Sequence, residues 1–389
     1  MRVLLYTFSF PPKVDGVVSR VMNTVKCLHR DGHDVRIATC QDPIERPEWM
    51  RNAGIQVDRW AGMRLPTYRA QWIGNAMNPL LWLQVRRSIS SFRPDVIHLI
   101  GPDPGHYAIV AICARAQLPI FVSYHTDVLS YARAFGVPAR IVYWLEAGYR
   151  WRWLDRVVTT SEPFRQRLIT EHQIPCHAVW PPGVDTDLFR PREPDPNLRR
   201  LLTRGATNRF LFLYVGRFSK EKDLTFLIRL MDAVPQAALA LIGDGPDTSW
   251  QRELPGRFFQ SDGFWSAEKV ARAYCCADAF ITASCTETCG FSVLEATASG
   301  LPVIAPAAQG LLSTVADGRT GLLFAPRDQG DARRQVDRIM HDAELRGRLR
   351  QGALAARAAL SWPAATRWLV DQYTQIIEAR AAARRTRDR

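Results

Sequence analysis

Short apolar runs that end in Gly, Pro or Ser, separated by helix-periodic stretches, recur along the whole chain. In the first half they are Val3–Tyr6, Val35–Ala38, Val96–Ile100, Ile120–Tyr124, Val157–Thr160 and Ala178–Trp180. In the second they are Phe210–Val215, Ala238–Ile242, Ala279–Thr282, Pro302–Ala305 and Gly321–Phe324. Strands alternating with helices predict parallel sheets joined by right-handed crossovers. The run Arg190-Pro191-Arg192-Glu193-Pro194-Asp195-Pro196-Asn197 reads as a linker, because its prolines remove backbone donors. The pattern therefore predicts an α/β protein of two domains of comparable size with a cleft between them. Ser361-Trp362-Pro363 followed by Ala364–Ile377 reads as a helix start and an amphipathic helix, and periodicity leaves open which domain it joins. Ligands of open parallel sheets bind beyond the carboxyl ends of the strands, so the loops after these runs are where chemistry is sought.

Composition narrows the classes. A chain of 389 residues exceeds what one hydrophobic core usually serves, and 47% hydrophobic with 23% charged residues is ordinary for a globular protein. No apolar run is long enough to span a bilayer, and Met1-Arg2-Val3-Leu4-Leu5-Tyr6 leads straight into a strand, so a cytoplasmic protein is expected. The eight cysteines lack paired metal-ligand spacing and read as reduced thiols, with no metal site. A net charge of +13 suits nucleic acid, phosphate-bearing substrates or an anionic membrane surface. No zinc-finger, RNP or basic-zipper pattern is present, which argues against nucleic acid. Tyr143-Trp144-Leu145-Glu146-Ala147-Gly148-Tyr149-Arg150-Trp151-Arg152-Trp153-Leu154 interleaves aromatics with arginine. That mixture fits the inner face of a membrane, or equally a core helix with snorkelling arginines.

Four segments carry candidate chemistry. In Thr286-Glu287-Thr288-Cys289-Gly290-Phe291-Ser292-Val293-Leu294-Glu295, Gly290 permits close approach of a ligand and a helix opening there offers amide groups to an anion. Glu287 and Glu295 can each accept from two sugar hydroxyls; the plainer reading is a helix cap and a surface ion pair. In Val215-Gly216-Arg217-Phe218-Ser219-Lys220-Glu221-Lys222, Arg217 and Lys222 can converge on a diphosphate. They would then meet the charge on a departing nucleoside diphosphate, as a divalent metal does elsewhere, and the plainer reading is a solvated basic turn. After the first strand, Asp15-Gly16-Val17-Val18 opens a helix whose amides at Gly16 and Val17 can lie under a diphosphate; it is not a dinucleotide fingerprint. Ser123-Tyr124-His125-Thr126-Asp127 ends another strand, with His125 available to a transferred sugar, whereas His98 and His106 read as structural.

Together these segments resemble the retaining GT-B glycosyltransferases of glycosyltransferase family four. The resemblance runs in order over nearly the whole chain. It is carried by Lys13-Val14-Asp15-Gly16-Val17-Val18, Ser123-Tyr124-His125-Thr126, Gly183-Val184-Asp185 with Phe189, and Gly216-Arg217 with Glu221-Lys222. It continues through Gly243-Asp244-Gly245-Pro246, Glu287–Glu295 and Ser299-Gly300-Leu301-Pro302-Val303. The resemblance implies two Rossmann-like domains, residues 1–188 with a C-terminal helix returning at 364–389, and residues 189–363. It implies front-face, retaining transfer of a hexose from a UDP or GDP sugar without metal or cofactor. Arg217 and Lys222 would hold the diphosphate, Glu295 the ribose, and Glu287, Thr288, Cys289, Gly290 and Phe291, with Ser292 beside them, the donor sugar. His125 would contact the sugar near the bond being broken, and the loop at Gly16 would close over the phosphates. Pro12-Lys13-Val14-Asp15-Gly16-Val17-Val18-Ser19-Arg20 is most similar to sulfoquinovosyl diacylglycerol synthases, which makes Lys13 and Arg20 candidates for a sulfonate. Asp127 stands where those synthases often have a second histidine and is a candidate acceptor contact. Pro181-Pro182, Gln309-Gly310-Leu311-Leu312 and Cys289 depart from that subgroup, so a lipid-directed, GDP-mannose-dependent α-mannosyltransferase is the alternative. From another class, a catalytically silent GT-B scaffold would bind nucleotide alone.

Overall fold

The computed structural model describes residues 1–13, 15–65, 68–126 and 153–387. Val14, Asp127 and the aromatic–arginine segment up to residue 152 lie outside the described residues. The chain divides into two compact units, Met1–Pro181 with Pro363–Arg389, and Pro182–Trp362.

In the first unit, the strands are β1 (Arg2–Thr7), β2 (Asp34–Thr39), β3 (Gln56–Arg59), β4 (Gly62–Leu65), β5 (Tyr68–Gly74), β6 (Val96–Gly101), β7 (Ile120–Tyr124), β8 (Arg156–Thr159) and β9 (Ala178–Val179). Seven of them form one sheet in the order β3-β2-β1-β6-β7-β8-β9, and every pair in it is parallel. β4 and β5 form a separate antiparallel hairpin. Successive side chains of β1 go to opposite faces: Leu4 and Tyr6 join one cluster with Ile97 and Leu99, and Leu5 joins another with Val25 and Ile37. The sheet is thus buried on both sides, which is why its inner strands β1, β6 and β7 are continuous apolar runs. The helix Trp362–Arg387 lies, from Pro363 on, within this unit. It is held there by Arg380 on Asp155 at 2.5 Å, Arg156 on Gln372 at 2.6 Å, and the Trp180 indole donating to the Ala365 carbonyl at 3.2 Å.

The second unit contains β10 (Phe210–Val215), β11 (Ala237–Ile242), β12 (Phe259–Gln260), β13 (Ala279–Ile281), β14 (Val303–Pro306) and β15 (Gly321–Phe324). Their order is β12-β11-β10-β13-β14-β15, again all parallel. Leu211 and Leu213 pack on one face of β10, and Phe212 and Tyr214 on the other. The proline-rich stretch read as a linker belongs to this unit: Asp195 caps the helix Pro196–Leu202 and pairs with Arg272 at 2.7 Å.

Each sheet reverses its strand order once, between β1 and β6 and between β10 and β13. The crevice at such a reversal is where open α/β sheets bind ligands.

Candidate donor site and its neutral counterpart

In the second unit the loops leaving β10 and β13 flank the reversal point. The first carries Gly216, Arg217 and Lys222, and the second runs through Glu287 to Gly290. Lys222 Nζ donates to Glu287 Oε1 at 2.5 Å, with both side chains about one-fifth exposed. This ion pair joins two residues that the sequence assigned to different ligand groups, one to phosphate and one to sugar. Arg217 is exposed on the same loop, and its carbonyl accepts from the Tyr214 hydroxyl at 3.0 Å. Burial, reinforced by the Glu287 and Glu221 carboxylates, keeps that phenol protonated and a donor.

The loop is shaped by what lies beneath it. Phe218 N–H donates to the Asp244 carbonyl at 2.8 Å, and a Cβ on Gly243 or Gly245 would overlap the Gly216 or Phe218 carbonyl oxygen. The Gly243-Asp244-Gly245-Pro246 motif therefore acts through backbone contact with the cationic loop rather than through side chains. On the other side, Gly290, at φ 71°, ends the loop and opens the helix Phe291–Ala298 without a side-chain cap. Gly310 N–H donates to the Glu287 carbonyl at 2.8 Å, and a Cβ there would strike the Thr288 carbonyl. Thr314 donates to the Cys289 carbonyl at 2.8 Å, and Cys289 is buried. Thus Thr288 and Cys289 set the path of the loop, while Phe291 and Ser292 begin the helix.

Glu295 sits on that helix with Oε2 3.0 Å from the Tyr274 hydroxyl, which is also 3.1 Å from the Ser292 carbonyl. One phenolic proton serves only one of these acceptors, so a proton on Glu295 satisfies both contacts. Burial pushes the Glu295 carboxyl up to about 7, against a smaller downward pull from the Tyr274 hydroxyl.

The first unit holds the remaining candidates. Asp15 caps the helix Gly16–Arg30, accepting from Val18 N–H at 2.8 Å and Ser9 Oγ at 2.6 Å, with Lys13 Nζ 3.2 Å away. Gly16 is exposed and Val17 half-buried at that helix start. Lys13 therefore faces an acid of its own loop. Arg20 is 1% exposed, lies 4.5 Å over the Trp180 ring and donates to the Trp180 carbonyl. That burial takes its guanidinium from the sulfonate-binding position suggested by sequence into the core.

At this sheet's reversal point stands Asp103, which sequence reading did not single out. Its carboxyl accepts from the Tyr6 hydroxyl at 2.9 Å, Gly74 N–H at 2.9 Å and Gly105 N–H at 2.7 Å. Burial, only partly offset by these donors, raises it to about 6. Beside it on the sheet, His125 is nearly buried, with Nε2 2.8 Å from Ser123 Oγ. Ser123 Oγ is also 2.7 Å from His98 Nε2, and His98 Nδ1 is 2.5 Å from the Tyr373 hydroxyl. Burial, then the Arg20 charge, holds both imidazoles neutral: His98 falls to about 3 and His125 well below its ordinary value. His98 and Ser123 were legible as polar interruptions in Val96–Gly101 and Ile120–Tyr124, since a polar residue in a strand buried on both faces needs a partner.

No group of three or more His, Cys, Asp or Glu side chains suited to hold a metal occurs among the described residues. Nor is any helix among them long and apolar enough to cross a membrane.

Two parallel-sheet units, one with a cation–carboxylate pair at its reversal point, define a Rossmann-like class, whose ligands bind at such reversal points. Comparison with known proteins gives the particular family. Residues 14–188 match the family described as Glycosyltransferase Family 4, and residues 203–355 match Glycosyl transferases group 1. The chain is 30% identical to a GDP-mannose-dependent alpha-mannosyltransferase of Mycobacterium tuberculosis, covering 97% of each. It is 29% identical to the sulfoquinovosyl transferase SQD2 of Arabidopsis thaliana, covering 91% of this chain and 69% of that one. It is 23% identical to an alpha-monoglucosyldiacylglycerol synthase of Acholeplasma laidlawii, over 91% and 92% of the two chains. In fold it is similar to the sucrose-phosphate synthase of Thermosynechococcus elongatus, with TM-score 0.76, 22% identity and coverage of 97% and 99%. Anabaena HepE, crystallised with UDP, gives TM-score 0.77 at 17% identity, covering 96% of this chain and all of that one (100%). The chain belongs to glycosyltransferase family 4, has the GT-B fold and is a glycosyltransferase.

Proposed function

We propose that the protein moves a hexose from a nucleoside-diphosphate sugar to a membrane lipid, with retention at the anomeric carbon and without a metal ion. The observation that carries this reading is the Lys222–Glu287 pair at the reversal point of the second sheet, beside exposed Arg217. Arg217 and Lys222 meet the charge that develops on the departing diphosphate, in the role a divalent cation fills elsewhere. Glu287 fixes the ammonium and accepts from a sugar hydroxyl, and Glu295 accepts from the ribose hydroxyls. Gly16 and Val17 offer backbone amides to phosphate, and His125 hydrogen-bonds the transferred sugar. Turnover unchanged by EDTA and a product anomer matching the donor's, read by NMR, support this; an inverted product overturns retention.

A lipid acceptor is favoured by the diacylglycerol named in the Acholeplasma relative and by the surface of the first unit. Between Asp58 and Asp95 the chain has no Asp or Glu and six arginines. In that stretch Met77 is 92% exposed, and on the helix Pro79–Phe92 Leu83 is 64% exposed, with Arg86 and Arg87 exposed. Apolar side chains among arginines suit an anionic membrane face. Flotation with anionic but not neutral vesicles is expected; equal flotation with both removes the anionic-face reading, and flotation with neither sinks the membrane reading.

For the donor, UDP-sulfoquinovose and GDP-mannose are the two readings. The second is favoured by the end-to-end match to the mannosyltransferase and by the burial of Arg20. Calorimetry with a panel of UDP- and GDP-sugars separates them. Lys13→Ala affecting charged and neutral sugars equally removes Lys13 from sulfonate binding.

A further inference from the structure

The four side chains Tyr373, His98, Ser123 and His125 form a continuous series of hydrogen bonds within the first unit, at 2.5, 2.7 and 2.8 Å. The direction of each bond follows from Tyr373. Its side chain is fully buried, its ring edges pack against Phe121 and His98, and His98 Nδ1 is its hydroxyl's partner among the described residues. A buried phenol that accepted rather than donated here would leave its proton without an acceptor, which burial penalises. The hydroxyl therefore donates to Nδ1. A neutral imidazole that accepts at Nδ1 carries its proton on Nε2, so His98 donates to Ser123 Oγ. Ser123, having accepted, has its one proton left for His125 Nε2. His125 is then obliged to carry its own proton on Nδ1. That nitrogen has no hydrogen-bond partner among the described residues, and His125 keeps 6% of its surface exposed. The buried Arg20 cation beside Trp180, whose ring is 5.5 Å from His98 and 5.7 Å from His125, disfavours a second proton on either ring.

We propose that Tyr373, His98 and Ser123 are positioning residues that impose one tautomer on His125, making it a hydrogen-bond donor through Nδ1 toward an oxygen of the bound sugar. The sugar part rests on the role of His125 proposed above; the tautomer does not. The chain also ties the C-terminal helix to the reacting group, since Tyr373 lies on Trp362–Arg387 and His98 on β6.

The test is long-range proton–nitrogen NMR on protein labelled with ¹⁵N-histidine and containing no ligand, with His98 and His125 assigned by His98→Gln and His125→Gln. Expected are one tautomer for each ring, protonated at Nε2 in His98 and at Nδ1 in His125. A proton on His125 Nε2, or tautomer averaging in the unaltered protein, overturns the proposal. Tyr373→Phe keeps the ring packing and is expected to fold, as circular dichroism will show. It should release both tautomers and lower kcat about tenfold, the weight of one hydrogen bond, with KM for the nucleotide sugar within about twofold. A folded Tyr373→Phe with unchanged tautomers, or with unchanged kcat, overturns it, because a helix tether alone predicts that result. Ser123→Ala, which cuts the series next to His125, must free the His125 tautomer while leaving His98 protonated at Nε2. If the unaltered protein transfers no sugar, the assigned activity fails and the NMR result still decides the tautomer.

Discussion

The two units share one sheet plan and place opposite chemistry at the point where strand order reverses. In the second unit that point holds charge in reach of water: Arg217 exposed, Lys222 and Glu287 paired and partly exposed. In the first it holds groups whose burial disfavours charge: Asp103 raised to about 6, and two histidines kept neutral beside the buried Arg20 cation. The difference teaches that the fold supplies a location and the local dielectric decides what it is good for. Half-solvated cations recognise an anion without a large desolvation penalty, whereas a buried neutral network presents one oriented donor and repels nothing.

The comparison can be broken first at the backbone beneath the cationic loop. Gly243→Ala forces a Cβ into the Gly216 carbonyl and is expected to lose more than about 3 kcal/mol in chemical denaturation, or not to fold. A mild effect there would mean that the loop is not built on this contact. Next come the charges themselves. Arg217→Ala and Lys222→Ala should each slow transfer by about 3 kcal/mol, with smaller changes in KM. Untouched turnover in Lys222→Ala would remove the diphosphate assignment.

The third measurement asks how strongly burial disfavours charge on Asp103 in the first unit. Native Asp103 binds its proton up to about pH 6, whereas the ordinary carboxyl releases it near 3.8. Between those values the native state holds more protons than the unfolded chain. Stability therefore falls as pH rises through that window and is level above it, by about 2–3 kcal/mol in all. Asp103→Asn should flatten this part of the stability profile, and an identical profile in the variant would contradict the buried-acid assignment. The smallest effect concerns Glu295 in the second unit. Its carboxyl, near 7, accepts two ribose hydroxyls only when ionised, so nucleoside diphosphate should bind about tenfold more tightly at pH 8 than at pH 6. Glu295→Gln should abolish the part of that gain not due to the phosphate itself.

The elements differ in how far sequence reaches them. β1, β2, β6, β7, β8, β10, β11, β13 and β14 were legible as apolar runs because each lies inside its sheet and buries both faces, and the edge strands β9 and β15 were legible as apolar runs too. β3 is polar on alternate positions, β12 is two residues long, and the β4–β5 hairpin stands outside the main sheet, so none shows that signature. These strands exist because a neighbour offers them a ladder. The charged candidates Arg217, Lys222, Glu287 and Glu295 were legible as residue types on loops after strands, while their partners were not.

Sequence by itself thus determined the alternation of strand and helix, the glycines at loop ends and the residue types available for catalysis. Tertiary structure alone decided that Lys222 meets Glu287, that Arg20 is sealed beneath Trp180, and that Tyr373 reaches His98 from 275 residues away. The physical reason is range. Strand and helix patterns are written in neighbours a few positions apart, but burial and hydrogen-bond partners, which set charge and tautomer, come from parts of the chain that meet only after folding.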